Sequence, residues 1–405
     1  MHTSLTQRSI AAAPVLSETR ILVLMPSIPI HGMERANLRI MQLLREHGAH
    51  MLCVTEATYG EALQREIERI GGEWAAAPFA QRLHLTKSPR NMLSVLQAWK
   101  NASQRVREIY QRYQPTHIYV TNLNYFLYAL PMLRQVYCPV ILRLPNPPDT
   151  DLARLKQGLT NLIWRYAVGR ICDTIVCNSK HSATRVEALG IAPSKLRTIY
   201  NVAPDPQKPQ ASDAPPVDPD HWNIVYLGRI HAAKGVRELF DVALRMVRER
   251  SDIDFYFAGE HHWKNPFATG LIREVIERGL QTRLHFLGHI QDIFGLLRQC
   301  NLHVLPSLTE SFPNAVLEAK RMGLPSVIFP SGGMTEAVTH RTDGYVCHQK
   351  TAAALYEGIR YFIDDPARLG SAGKAAQSSL TRFSRTTIAQ AWADVLQSQY
   401  QSQSN

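Results

Sequence analysis

Residues 21–30 read as one apolar run, the pattern of a strand buried on both faces. After the turn His31-Gly32-Met33-Glu34, the residues Leu38, Met41, Leu43 and Leu44 fall on one side of an amphipathic helix that ends near Gly48. The alternation continues, with strands expected at residues 51–55, 74–79, 117–121, 140–144, 175–177 and 197–200. Helices are expected between them, including residues 63–70 and a long basic one over 90–113. Residues 203–220 then hold six prolines and almost no apolar side chains, which reads as a semi-rigid linker. Beyond it the pattern restarts, with strands at 223–227, 255–258 and 284–287 and helices at 236–247 and 272–280. Helices fill residues 352–400. The expectation is an α/β protein of two parallel-sheet domains. Its divisions are a loose leader at 1–20, a first domain at 21–202, the linker, a second domain at 221–385, and a C-terminal helix at 386–405 that is a candidate to cross back onto the first domain.

The stretch 302–344 concentrates the chemistry. An apolar strand at 302–305 ends in Pro306-Ser307, and a polar turn carries Glu310. A helix starts at Pro313-Asn314, where proline suits the first turn because its missing N–H has no partner there anyway. Glu318 lies inside that helix. A second strand at 326–329 leads to Gly332-Gly333 and a short helix around Glu336. In open parallel sheets ligands bind outside the carboxyl ends of strands, and a helix start suits a phosphate.

Length and composition narrow the class. The 405 residues are enough for two full cores, and 45% apolar with 20% charged residues is an ordinary globular composition. No stretch approaches a membrane span, and the first 20 residues make a poor signal peptide. The six scattered cysteines form no C-x-x-C pair and read as free thiols of a reducing compartment, hence a cytoplasmic location. Charge is uneven: residues 1–205 hold 24 Lys/Arg against 14 Asp/Glu, a net of +10 out of the total +11. A first half this basic attracts an anionic surface, whether membrane, phosphorylated lipid or nucleic acid, or is simply a solvated face.

The second half opens with Gly228-Arg229-Ile230-His231-Ala232-Ala233-Lys234-Gly235 between a strand and a helix. Two cations at such a turn suit a diphosphate, with Arg forking onto its oxygens and Lys supplying a point charge. The order is neither a Walker loop nor G-x-G-x-x-G. Each feature alone is weak, and the signal is the ordered set.

That set resembles the retaining group 1 glycosyltransferases of family 4, which have the GT-B fold of two Rossmann-like domains facing a central cleft. The resemblance rests on G-R-x-x-x-x-K-G at 228–235, P-S-x-x-E-x-F-x-x-x-x-x-E-A at 306–319, G-x-P at 323–325 and G-G-x-x-E at 332–336. It implies that Arg229 and Lys234 hold the diphosphate and stabilise the leaving group, and that Glu310 faces the donor sugar. It implies that Glu318 takes the ribose hydroxyls, and that backbone N–H groups near Phe312, Pro313 and Asn314 meet the diphosphate. Gly32, Gly332 and Gly333 join the donor site. The implied partners are a nucleotide-sugar and a glycan or lipid-linked acceptor of cell-surface polysaccharide or lipopolysaccharide synthesis. A peripheral contact with the anionic inner membrane face is included, and nucleic acid is not. No cofactor and no metal are expected.

The chain departs from the family pattern in the first domain. His31-Gly32 stands for the Gly-Gly turn, Asn201-Val202 for Asn-Gly, and Pro145 or Asn146 where the family often has a His. Asn122, Asn124, Arg143 and Asn146 are the candidate cleft residues there. D-x-D occurs at Asp149–Asp151, Asp218–Asp220 and Asp252–Asp254, in each case poorly placed for a metal-dependent transferase, and His261-His262 lacks a third ligand. A sugar-nucleotide epimerase on the same architecture and a basic binding protein are the rival readings.

Overall fold

A computed structural model of the chain describes residues 16–25, 32–56, 61–78, 89–145, 161–162, 164–206, 212–260 and 265–401. Outside these lie Asn146, the pair Asp149–Asp151, His261-His262, residues 26–31 at the end of the first apolar run, and most of the leader.

The described residues form two parallel sheets. The first has seven strands in the order β3-β2-β1-β4-β5-β6-β7. They are β1 Arg20–Leu24, β2 His50–Glu56, β3 Glu73–Ala77, β4 His117–Val120, β5 Val140–Leu144, β6 Thr174–Cys177 and β7 Leu196–Thr198. The second has six in the order β10-β9-β8-β11-β12-β13. These are β8 Trp222–Leu227, β9 Ile253–Ala258, β10 Leu284–Gly288, β11 Leu302–Leu305, β12 Ser326–Ile328 and β13 Gly344–Val346. In each sheet the strand order turns once, between β1 and β4 and between β8 and β11, and such switch points open a crevice at the carboxyl ends of the strands.

The periodicity explains the layers. β4, β5, β6, β9 and β11 are buried at every position, so both faces of each sheet are covered by helices. The helix Val236–Glu249 buries Val236, Leu239, Phe240, Ala243, Met246 and Val247, a stripe at three- and four-residue spacing. The helix Arg385–Gln401 packs on the first sheet, not the second: Trp392 meets Tyr119 edge-on at 5.3 Å, and the His117 imidazole bonds the Leu396 carbonyl at 2.9 Å.

Several boundaries differ from expectation for local reasons. β13 was not expected, since it is three residues long and directly follows a turn; its Gly344 is needed because a Cβ there would stand 2.4 Å from the Ser326 carbonyl oxygen of β12. The helix expected over 272–280 is Pro266–Glu277, started by the Asn265 side chain accepting from Phe267 N at 3.1 Å. β7 stops at Thr198, so Tyr200 and Asn201 leave the sheet toward the second domain. The linker is docked at its start and near its middle. Ala203 N donates to the Phe383 carbonyl at 2.9 Å, and the Asp213 carboxylate accepts from Gln291 N and Asp292 N, each at 2.8 Å.

Two buried polar groups stiffen the second domain. Lys320, fully buried, bonds Asp343 Oδ2 at 2.7 Å and Ser379 Oγ at 2.8 Å, fixing the end of the helix Asn314–Arg321. Burial lowers its ammonium pKa and Asp343 pulls the other way. His303 in β11 bonds Ser326 Oγ at 2.9 Å, and burial pushes its imidazole down to about 3. The folded state therefore resists a proton that the unfolded chain accepts below about pH 6.5, so stability is lost as pH falls from there toward 3. The slope from this residue is about 1.4 kcal/mol per pH unit. Urea midpoints of parent and His303→Gln should converge as pH falls through this window; parallel profiles would contradict the assignment.

Candidate active site

At the end of β8, Tyr226 donates its hydroxyl to the Arg229 carbonyl at 2.8 Å, holding the cation loop close to the sheet. Gly228 is in the left-hand half of backbone space, φ +155°, where a Cβ would lie 2.8 Å from that same hydroxyl. The loop continues as a single tight turn, Ala232–Lys234, started by His231, whose imidazole accepts from Ala233 N at 3.1 Å. It closes at Gly235, φ +65°, where a Cβ would stand 1.9 Å from the Pro306 carbonyl oxygen. Leu308 N donates to the Ala233 carbonyl at 3.1 Å, so the loops after β8 and β11 are laid against one another.

This contact brings Lys234 to Glu310, Nζ to Oε2 at 2.7 Å, with both side chains about four-fifths covered (22% and 18% exposed). Arg229 is exposed and forms no ion pair with another described residue. Gly332 and Gly333 sit behind the carboxylate. Gly333 N donates to the Glu310 carbonyl at 3.2 Å, and a Cβ on Gly332 or Gly333 would lie 1.9 Å from the Glu310 or 2.0 Å from the Ser311 carbonyl oxygen. The glycine pair thus shapes the Glu310 loop from the rear.

Glu318, on the helix Asn314–Arg321, faces the other domain. Its Oε1 accepts from Arg39 Nη2 at 3.2 Å, and Arg39 belongs to the first-domain helix Gly32–Glu46. Asn314 donates to the Gly32 carbonyl at 3.1 Å and accepts from Asn201 Nδ2 at 2.7 Å. Phe312 and Pro313 are buried, and the Phe312 ring rests on Tyr200 and Phe383 at 5.1 and 5.5 Å. The side chains of Phe312 and Asn314 therefore join the domains.

The first-domain candidates separate. Arg143, in β5, is wholly buried, which corrects its place among the cleft residues. Its Nη1 bonds Asn37 Oδ1 and its Nη2 bonds Asn201 Oδ1, both at 2.6 Å. Tyr119 donates to the same Asn37 oxygen at 2.9 Å. Burial lowers the Arg143 guanidinium pKa and pushes the Tyr119 hydroxyl up to about 12. Arg143 thus reaches the cleft only through Asn201 and Asn314. Asn122 is a cap as well: its side chain accepts from Tyr125 N at 3.1 Å to start the helix Leu123–Leu133, in whose first turn Asn124 is exposed. Arg39, Tyr200 and Asn201 were missed as site residues. An Arg on an amphipathic helix carries no local mark that distinguishes it from a solvated one.

Asp252 and Asp254 open β9, at the opposite end of the sheet from Glu310. They pair with Arg250 at 2.6 Å, and with Arg283 at 2.6 Å and His221 at 2.9 Å, respectively. In the second domain, Arg229 and Lys234 from the loop after β8 and Glu310 and Glu318 from the loop and helix after β11 lie at neighbouring strand ends. That arrangement can bind a diphosphate and orient the hydroxyl-bearing groups on either side of it.

Residues 221–365 match the family described as Glycosyl transferases group 1, and residues 30–204 match Glycosyltransferase Family 4. A glycogen synthase of Mycobacterium tuberculosis is 29% identical over 224 residues, covering 55% of this chain and 53% of that protein. The N,N'-diacetylbacillosaminyl-diphospho-undecaprenol alpha-1,3-N-acetylgalactosaminyltransferase of Campylobacter jejuni is 34% identical over 168 residues, covering 41% and 42%. The chain thus spans about half the length of these curated relatives. Among solved structures, Anabaena HepE in complex with UDP superposes with a TM-score of 0.73 at 18% identity, over 94% of this chain and 100% of that one. The apo form of the lipopolysaccharide outer core galactosyltransferase WaaB superposes at 0.69 with 15% identity, over 94% and 99%. With a family match over each domain, the site motifs inside the second of these matches and the fold shared over nearly its whole length, the chain belongs to the group 1, family 4 glycosyltransferases of GT-B fold.

Proposed function

We propose that the chain transfers a sugar from a nucleoside diphosphate sugar, with retention of anomeric configuration, to a glycan or lipid-linked acceptor in cell-surface polysaccharide or lipopolysaccharide synthesis. The observation that carries this reading is the meeting of Lys234 with Glu310 at 2.7 Å, on the loop that also carries Arg229 and just before the helix Asn314–Arg321 that carries Glu318. Breaking the sugar–phosphate bond leaves negative charge on the diphosphate. Arg229 and Lys234 meet that charge as it develops, in a cleft from which water is partly excluded. Lys234 is held ready by Glu310, which is free to turn to the sugar once the diphosphate takes its partner. Glu318 accepts the vicinal ribose hydroxyls.

The acceptor side is the first domain, in line with the +10 charge of residues 1–205. The name of the Campylobacter relative includes diphospho-undecaprenol, and that of WaaB lipopolysaccharide. No helix among the described residues is long and apolar enough to cross a membrane. A cytoplasmic enzyme touching the inner membrane face peripherally fits these features. Turnover runs without a divalent metal, since the cation pair supplies the charge a metal would.

Arg229→Ala and Lys234→Ala should each lower turnover on the order of 100-fold in a transfer assay across a panel of nucleotide-sugars. Normal kinetics in both would remove the diphosphate from this loop. Turnover should survive EDTA; loss restored by magnesium or manganese would show a metal requirement. Glu318→Ala should weaken nucleoside diphosphate binding by about tenfold or more in calorimetry, because charged hydrogen bonds contribute roughly 1.5–3 kcal/mol each. Glu310→Ala should bind the diphosphate at least as tightly as the parent, with Lys234 released, and yet transfer poorly. Equal behaviour of parent and both variants would sink the roles of the two glutamates.

A further inference from the structure

The geometry points to Glu336 as a positioning residue, which carries the closure of the two domains into the backbone that presents Glu310. The inference rests on the reading of Glu310 as the sugar-facing carboxylate. Glu336 ends the G-G-x-x-E motif and lies in the short helix Met334–Ala337. Its carboxylate is engaged by the first domain. Oε2 accepts from Lys180 N at 2.8 Å and from the Tyr200 hydroxyl at 3.1 Å, and Oε1 accepts from His181 N at 2.9 Å.

Lys180 and His181 are the first two residues of the helix Lys180–Glu187. Their N–H groups have no partner within that helix, and its positive end favours a carboxylate. Ser179, the cap of the helix, serves Ser182 N instead, so Glu336 completes a helix start in the opposite domain.

The other end of the link is Glu310. Three residues before Glu336, Gly333 N bonds the Glu310 carbonyl at 3.2 Å. Gly333 is also pressed onto the first domain, since a Cβ there would stand 2.6 Å from Ser179 Cβ. The path from the first-domain helix to Glu310 is therefore one carboxylate, three residues of chain and one backbone bond. With the domains apart, the bonds at Lys180, His181 and Tyr200 are lost and the glycine turn loses its support. Glu310 then keeps its Lys234 partner and its Gly333 bond, but on a turn no longer braced by the first domain.

Glu336→Gln keeps the size of the side chain and removes its charge, and Glu336→Ala removes the link. Three measurements decide: small-angle scattering of the unliganded protein, UDP affinity by calorimetry, and turnover with donor KM. Both variants should show a larger radius of gyration than the parent and a turnover lower by about tenfold, the loss of one charge-assisted bond. UDP affinity and donor KM should stay within about twofold, because Arg229, Lys234 and Glu318 are untouched. Donor hydrolysis should rise relative to transfer as water enters. The inference is overturned by a turnover loss matched in UDP affinity, by a turnover loss without a scattering change, by a scattering change without a turnover loss, or by no change in either. If even the parent transfers no sugar, the transferase reading fails. The scattering comparison then judges the Glu336 link on its own.

Discussion

A Cβ on Gly235 would stand 1.9 Å from the Pro306 carbonyl oxygen, and Cβ atoms on Gly332 and Gly333 would stand 1.9 and 2.0 Å from those of Glu310 and Ser311. Backbone lies on backbone at three successive places around the end of β11. No real side chain survives such distances, so a substitution there must move a loop. Lys234 follows from this approach, because Gly235 is the residue that turns its loop against Pro306. Glu310 follows because the glycine pair abuts the carbonyls of its own turn. The site depends on chain segments that come closer than any side chain permits, and the charged groups are carried along.

The facing domain is built on a different constraint, a buried charge. Arg143 is wholly covered, and among the described residues its hydrogen-bond partners are two asparagine oxygens and no carboxylate. A guanidinium taken from water is costly unless its donors are met; here two amides meet the Nη groups, while the buried Nε has no hydrogen-bond partner among the described residues. Because Asn201 gives its oxygen to Arg143, its amide N–H is turned outward, to Asn314 Oδ1 at 2.7 Å. Asn314 is left with its own N–H for the Gly32 carbonyl. A core charge thereby sets the polarity of three bonds in a row and selects how the two domains meet.

Glu318 and Glu336 show how the cleft treats its carboxylates. Each lies on a second-domain helix, and each is met from the first domain, by Arg39 and by the helix start at Lys180 and His181. Charge complementarity across a cleft favours one docking arrangement and penalises others, so the same groups that serve ligand chemistry also register the domains.

What the sequence determined by itself is what neighbours along the chain decide. Mostly apolar runs such as 140–144 and 302–305, each interrupted by one polar residue, Arg143 and His303, read as strands of covered parallel sheets, and their alternation with amphipathic helices yields the two domains. The cations of 228–235 and the glutamates of 306–319 are legible because the turns that carry them have their own glycine and proline chemistry. The short strand at Gly344 and the helix start at Asn265 escaped because three residues of strand or one cap leave no period to read. Only the tertiary structure decided the partners. Arg39 lies 279 residues from Glu318, Asn201 113 from Asn314 and Lys180 156 from Glu336. Arg143 ends in the core and not in the cleft for the same reason. A side chain's hydrogen bonds are set by what packing brings within 3 Å, and periodicity along the chain holds no record of that distance.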